Sequence, residues 1–200
     1  MSGKVLSEKD REYYTRHIQE RLSQLRFEHS VNVSREAVRL AEIHGADVDK
    51  AELAGLLHDV MKDAGKKEQL ALLEQYGVRL SEIEQNAPKL WHAIAGAVYA
   101  KKVLRIRDKD VLNAIRYHTT GRAGMSLLEK IIYLADSTSA EREYNGVDKM
   151  RKLVVSDLDE ALRFAYADSL QKRLDDGMPM HPDTVEGYNE VMLEKMQSKS

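Results

Sequence analysis

The chain contains no cysteine, which excludes disulfides, thiolate metal sites, iron–sulfur clusters and thiol catalysis. Any metal it binds must be held by histidine and carboxylate. Proline occurs three times, at positions 88, 179 and 182, and none of the three interrupts a periodic apolar pattern. An excess of one charge is also missing: 32% of the residues are charged, yet the net charge is −2. A general nucleic-acid or membrane-surface binder needs a basic excess, so neither partner is expected, although a local basic pocket for a phosphorylated small molecule stays allowed. No apolar run approaches the length that spans a bilayer, and Met1-Ser2-Gly3-Lys4 lacks the apolar core of a signal peptide. A cytoplasmic protein is expected. There is no HExxH, no glycine-rich phosphate loop and no GxSxG elbow, and no serine carries a local nucleophile signature.

What is present is helical periodicity from end to end. Two hundred residues fit a single all-α domain with a substantial core. That core is expected over about 10–176, with a more polar C-terminal helical arm over about 177–200. Tyr14, Ile18, Leu22 and Leu25 recur at helical spacing and predict a helix over 8–25. Ser30 is a candidate cap for the next, in which Val33, Ala37, Leu40 and Ala41 repeat until His44-Gly45, where glycine suits a left-handed end. Asp49 opens a segment carrying Leu53, Leu56, Leu57 and Val60. Further helices are expected over about 66–76, 90–104, 109–118, 125–139, 158–175 and 183–196. No window alternates as a strand does.

Within this pattern His29, His58-Asp59, His92, His118 and Asp136 form an array. The adjacent pair lies inside Leu56-Leu57-His58-Asp59-Val60, an apolar run in which an imidazole and a carboxylate are costly to bury without a partner. A bound metal is a common partner for that combination. Helical spacing puts Ala51, Ala54 and Met61 on the face of His58. Asp136 ends the stripe Leu128, Ile132; His118 ends the stripe Val111, Ala114, Ile115; His92 shares a face with Ala95, Gly96 and Tyr99. Four helices thus direct an ionisable group toward the core, which suggests one interior site. Each residue alone has a plainer reading. His92 and His118 can be hydrogen-bonded core histidines, Asp136 a surface partner of Lys130 or Arg142, and His29 a neighbour of a helix start. His17 and His44 read as surface residues.

Taken together, His29, His58-Asp59 and Asp136 resemble the H…HD…D signature of HD-domain metal-dependent phosphohydrolases, which have a helical fold. The likeness extends to one branch, the YqeK-type symmetrical bis(5′-nucleosyl)-tetraphosphatases. It runs through Arg26-Phe27-Glu28-His29-Ser30 and Gly55-Leu56-Leu57-His58-Asp59 with Lys62. It continues through His92-Ala93, His118-Thr119-Thr120-Gly121-Arg122, and Met125 through Lys130 to Ala135-Asp136. His181-Pro182, Thr184, Tyr188 and Asn189 close it, so that it covers roughly residues 10–195. In that branch a proline-containing turn usually precedes an arginine after the last aspartate. This chain has Ser137-Thr138-Ser139-Ala140-Glu141-Arg142 instead.

The resemblance implies an HD-domain helical bundle that cleaves diadenosine tetraphosphate symmetrically to two ADP. The alternatives are an HD phosphohydrolase acting on another nucleotide or alarmone, and a non-catalytic nucleotide-binding helical module. It implies one or two divalent metals, iron foremost, with manganese, cobalt or nickel also compatible with such donors. His29, His58, Asp59 and Asp136 would hold the first metal. His92 and His118 would complete a second site with Asp59 bridging, or else contact phosphate. A divalent ion there lowers the pKa of a water from ~15.7 toward ~7. Asp59 and Lys62 are then the expected catalytic residues, Lys62 neutralising a phosphate oxygen. Thr119, Arg122, Arg142 and the segment His181, Pro182, Asp183, Thr184, Val185 and Glu186 are expected to contact the nucleotide. The expected partner is a small nucleotide, and a homodimer is compatible with this reading.

Overall fold

The computed structural model describes residues 6–197. Met1–Lys4, read above for a leader, and the last three residues of the C-terminal arm lie outside them. The described residues form eleven α-helices and one 3₁₀ turn, with no strand among them. The helices are α1 (Glu8–Arg21), α2 (Gln24–His44), α3 (Val48–Leu57), α4 (Lys66–Gln75), α5 (Glu82–Gln85), α6 (Trp91–Lys102), α7 (Lys109–Tyr117), α8 (Leu127–Thr138), α9 (Val147–Ser156), α10 (Leu158–Asp175) and α11 (Pro182–Gln197). The all-α expectation holds.

Packing among five helices positions the site. α2 lies against α3 and α8, and α7 lies against α3, α6 and α8. One continuous core joins them, with Val33, Ala37 and Leu40 of α2 meeting Ala54 and Leu57 of α3 and Ile131, Ile132 and Leu134 of α8. Close approach of α2 and α3 needs a glycine. A Cβ added at Gly55 would sit 2.7 Å from Ser34 Cα, so no larger side chain fits at this crossing without moving backbone. At the far end, α11 packs on α10, and Thr184 donates its hydroxyl to the Thr120 carbonyl at 2.8 Å. Gly121 makes the turn beneath it, with φ +60° and with Tyr166 Oη 2.2 Å from the position a Cβ would take.

Five features depart from the sequence expectation, each for a physical reason. The helix expected over 8–25 breaks at Leu22, because Asp63 takes both the backbone N–H and the hydroxyl of Ser23 at 2.7 Å. Leu25 consequently belongs to α2 and is 73% exposed. Ser30 is not a cap: α2 begins at Gln24, and Ser30 is fully buried inside it. The N-cap of α3 is Asp47, whose side chain accepts from Lys50 N, rather than Asp49. Helix α9 was not anticipated, because it starts from Gly146 at φ 98° without a side-chain cap, although Val147, Met150 and Val154 carry the right period.

The helix expected to continue past His58 ends at Leu57, and residues 58–63 are tight turns. Lys62 N donates to Asp59 O at 2.8 Å, and Gln69 clamps the turn by donating to the carbonyls of Met61 and Ala64. In a regular helix consecutive side chains diverge by about 100°. The break is what frees His58 and Asp59 to face one point.

The α2–α3 crossing yields a stability prediction. Gly55→Ala should destabilise the protein by about 1–3 kcal/mol through overpacking, lowering Tm by several degrees in a thermal scan followed by circular dichroism. An unchanged Tm would show that the crossing is not tight.

Candidate metal centre

Five helices deliver the array to one place. His29 comes from the middle of α2, His58 and Asp59 from the turn that ends α3, and His92 from the first turn of α6. His118 caps the C-terminus of α7, and Asp136 lies in the last turns of α8. His29, His58, Asp59, His92 and His118 are all buried, and Asp136 is partly exposed. Their ligand atoms fall into three overlapping sets: His29, His58, Asp59; His58, His118, Asp136; and Asp59, His92, His118. Within each set the atoms lie no more than 4.8 Å apart.

Asp59 faces two ways. Its Oδ2 lies 3.7 Å from His58 Nε2 and 3.9 Å from His29 Nε2. Its Oδ1 lies 3.1 Å from His92 Nε2 and 3.5 Å from His118 Nε2. Asp136 Oδ1 stands 3.1 Å from His29 Nε2. The two histidine pairs close on each other, with Nε2–Nε2 separations of 3.3 Å for His29–His58 and 3.2 Å for His92–His118.

The hydrogen bonds behind the rings fix which nitrogen faces inward. His58 Nδ1 donates to the Gly55 carbonyl at 2.7 Å, and His118 Nδ1 to the Ile115 carbonyl at 2.8 Å. A carbonyl only accepts, so both protons sit on Nδ1 and the Nε2 lone pairs point into the cluster. Burial pushes His58 down to about 4, which keeps its ring neutral, and burial also lowers His92. Burial alone would raise the Asp59 carboxyl, but the imidazoles facing it, His58 foremost, hold it well below the ordinary carboxylate range. Burial likewise opposes ionisation of Asp136, yet His29, His58 and Arg142 hold it far down. An ionised Asp59 whose buried Oδ1 makes no hydrogen bond costs more than an ordinary unpartnered group. Inward lone pairs, two ionised carboxylates and an orphaned buried oxygen fit a divalent cation, whose binding supplies the missing partner.

Two contributors escaped the sequence reading. Glu141 accepts from His29 Nδ1 and is itself held by Asn32 Nδ2 and Ser139 Oγ, each at 2.8 Å. A carboxylate behind a ligating histidine orients the ring and raises its basicity. Burial opposes charge on His29, but Asp136 and Glu141 outweigh it and raise the ring above its ordinary value. The only hint of Glu141 in the sequence was that it stands in the stretch that departs from the branch's turn. Arg26, quoted above only as part of a motif, brings Nη1 to 3.6 Å from Asp59 Oδ2.

The remaining expected residues divide. Lys62 Nζ is 3.0 Å from His92 Nε2 and 3.6 Å from Asp59 Oδ1. Arg142 pairs with the Asp136 carboxylate and donates Nε–H to the Asp136 carbonyl at 2.7 Å. His118, Thr119, Asp136 and Arg142 line an open cavity of about 310 Å³, whose outer walls include Tyr144 and Phe164. Arg122 is turned to other partners, a two-pronged pair with buried Glu129 at 2.7 and 3.0 Å and the face of Tyr117. His181 and Thr184 line a neighbouring cavity. Pro182, Asp183, Val185 and Glu186 form the first turn of α11, with Pro182 and Glu186 exposed. His17 and His44 are half-buried and make single hydrogen bonds, to Tyr99 Oη and the Val154 carbonyl.

Known proteins resemble this chain along most of its length. An HD-domain family profile matches residues 26–141. A symmetrical bis(5′-nucleosyl)-tetraphosphatase of Halalkalibacterium halodurans is 40% identical over 174 residues, 87% of this chain and 92% of the relative. The protein of the same name from Bacillus subtilis is 39% identical over 172 residues, 86% of this chain and 92% of the relative. Among solved structures, one from Clostridium acetobutylicum, described as a predicted HD superfamily hydrolase involved in NAD metabolism, superposes with a TM-score of 0.89 at 38% identity. It covers 96% of this chain and 100% of its own.

Two outcomes test the geometry. Glu141→Ala should weaken metal retention about 10–100-fold in chelator competition, with Glu141→Gln intermediate; an unchanged competition curve would remove Glu141 from the centre. If His92 and His118 complete a second metal position, His118→Ala should lower bound metal from about two ions to about one, as read by elemental analysis. Unaltered metal content would return His118 to a phosphate-contacting or core role.

Proposed function

The chain belongs to the HD-domain family, in the branch of the symmetrical bis(5′-nucleosyl)-tetraphosphatases, and on that premise we propose that it hydrolyses diadenosine tetraphosphate to two ADP. The observation that carries the reading is Asp59, a buried carboxylate whose two oxygens each face a different pair of imidazoles. That arrangement suits two cations about one bridging carboxylate, the layout used for in-line displacement at phosphorus. The donor set contains no thiolate and favours iron, manganese, cobalt or nickel over softer ions; we assign iron as the native metal. Bound there, the cation supplies Lewis acidity toward phosphate oxygens and a lowered pKa for an attacking water.

The chain's own residues do the rest. His29, His58, Asp59 and Asp136 form the first set of ligands in this reading, and Asp59, His92 and His118 the second. The carbonyls of Gly55 and Ile115 and the carboxylate of Glu141 keep the ligating rings in register. Lys62, beside Asp59 Oδ1, is placed to offset charge on a phosphate oxygen as the bridge bond breaks. Arg142 is anchored on Asp136 and presents the rest of its guanidinium to the cavity next to the centre, where a diphosphate fits. Thr119 lines the same cavity. Arg122, committed to Glu129, acts on the turn that carries His118 and Thr119 rather than on phosphate. A nucleotide substrate places the work of this protein in the cytoplasm, and no described helix is long and apolar enough to cross a membrane.

Symmetry fixes which bond is cut. One water is consumed: its oxygen stays on the attacked β-phosphate, and the oxygen of the central P–O–P bridge leaves with the other half. Holding one ADP half at a set distance from the centre supplies the register, and positioning of this kind is worth several kcal/mol of barrier. Metal-loaded protein given diadenosine tetraphosphate in heavy-oxygen water should release ADP alone, with one label in one of the two β-phosphates after a single turnover. AMP together with ATP would reject the register. Hydrolysis of mononucleotides or alarmones without any dinucleotide cleavage would reject the substrate class.

A further inference from the structure

The turn that carries His58, Asp59 and Lys62 is held by side chains of other elements. Residues 58–63 form no regular helix, so their carbonyls cannot all pair along a helical ladder, and a buried carbonyl left unpaired is costly. Bonds within the turn meet part of the demand: Val60 N–H donates to the Leu57 carbonyl at 3.1 Å and Lys62 N–H to the Asp59 carbonyl at 2.8 Å. Gln69 Nε2 donates to the carbonyls of Met61 and Ala64, each at 2.9 Å. The Val60 carbonyl, one residue past Asp59, accepts from Arg21 Nε–H at 3.1 Å.

Arg21 stands in the last turn of α1, and its guanidinium is engaged on three sides. Beyond the Val60 carbonyl, Nη2 meets Met61 Sδ at 3.0 Å and pairs with Glu68 of α4. The group lies 4.5 Å from the centre of the Tyr99 ring, on α6. Tyr99 is fixed in turn, its hydroxyl hydrogen-bonded at 2.9 Å to Nε2 of His17, one turn before Arg21 on α1. A planar fork that stacks on a ring while donating at its edge does what an ammonium group cannot. One side chain thereby joins α1, the turn, α4 and α6.

The corner between α1 and α2 grips the same turn a second time. Ser23 donates its backbone N–H and its hydroxyl to Asp63 Oδ2, both at 2.7 Å. The corner therefore meets the turn at Val60 and at Asp63, with Lys62 between them. From this corner α2 runs on to Arg26 and His29, so the same contacts set the groups of α2 against those of the turn.

We propose that Arg21 is a positioning residue for the metal centre: its hold on the Val60 carbonyl keeps Asp59 turned with one oxygen toward each histidine pair and keeps Lys62 beside it. The inference rests on the hydrolase reading above and deepens it. Without the clamp the apolar run through Met61 is free to continue as helix. His58 and Asp59 would then diverge by about 100°, and Asp59 would no longer face His92 and His118.

Two variants test this. Arg21→Met keeps the length of the side chain and its apolar stem over Tyr99 but removes every donor. Arg21→Lys keeps the charge opposite Glu68 and loses the planar fork. In both, amide hydrogen exchange read by mass spectrometry should quicken about tenfold, the worth of one charge-assisted hydrogen bond, in peptides spanning 58–64, while peptides of α2 and α8 keep the wild-type rate. Metal retention in chelator competition should weaken about tenfold. For diadenosine tetraphosphate kcat should fall roughly 10–100-fold, with KM changed less. Exchange that quickens alike along the whole chain would make Arg21 a general strut and overturn the proposal. Wild-type exchange and metal retention in Arg21→Met, or wild-type kcat in Arg21→Lys, would overturn it as well. Quickened exchange confined to the turn, in a protein whose wild type leaves diadenosine tetraphosphate uncut, would refute the hydrolase reading and leave the hold of Arg21 on the turn standing, since exchange depends on neither metal nor turnover.

Discussion

Everything in the inner half of this protein is arranged around one buried carboxylate. Asp59 is 2% exposed and held ionised among four imidazoles. Removing an ion from water costs several kcal/mol even after a protein relaxes around it. The protein alone repays that cost only in part, because Oδ1 has no partner in hydrogen-bond geometry and His58 and His118 spend their Nδ1 protons on backbone carbonyls. The compensation has to arrive as positive charge. Arg26 and Lys62 stand 3.6 Å from its two oxygens, too far for close ion pairs, and the space between the rings and the carboxylate suits a cation of higher charge density. The donor set thus suits a cation, and wherever one binds here metal affinity and fold stability are linked quantities.

The second constraint is directional. A ligating histidine has to be aimed, and three of the rings are aimed by two devices. His58 is turned by a carbonyl of its own helix and His118 by a carbonyl of α7. Both donate to the residue three positions earlier, a carbonyl that the ending helix leaves unused. His29 sits mid-helix, where no such carbonyl is free, and Glu141 comes from the loop after α8 to serve instead. The C-terminal ends of α3 and α7 are therefore working parts of the site. The α2–α3 crossing at Gly55 matters for the same reason: it sets the separation of His29 from His58 and supplies the carbonyl that orients His58.

How far the sequence discloses this depends on the range of the interaction. The helical class, most helix spans and the convergence of His29, His58, Asp59, His92, His118 and Asp136 were legible, because each rests on local periodicity and residue type. The helix break at His58 was not legible: the apolar run reads straight through it, and the turn is held by Gln69, from the following helix, and by a carbonyl contact from Arg21, far upstream. The early start of α2 was hidden likewise, since Ser23 spends its capping groups on Asp63 forty residues away. Arg122 reads as a free cation in sequence, but Glu129, in the first turn of α8, binds it. Glu141 was illegible for the same reason, since its role exists only once α2 and the loop after α8 meet.

The electrostatics show why an acidic protein can take a polyanion. Net charge is −2, but three cations, Arg26, Lys62 and Arg142, lie beside the two ionised carboxylates of the cluster. The imidazoles bring no compensating negative charge. With Glu141 behind His29 also counted, three cations face three carboxylates and the centre is about neutral before any metal; each divalent ion adds two further charges inside a buried, poorly screened space. Phosphate is drawn to this point rather than to the surface at large, where acidic and basic residues are interspersed and salt screens them. Recognition of the nucleoside must then come from groups outside that positive centre. The cavity lined by His118, Thr119, Asp136 and Arg142 lies immediately beside it, so charge fixes where the phosphates go and shape decides what they are attached to.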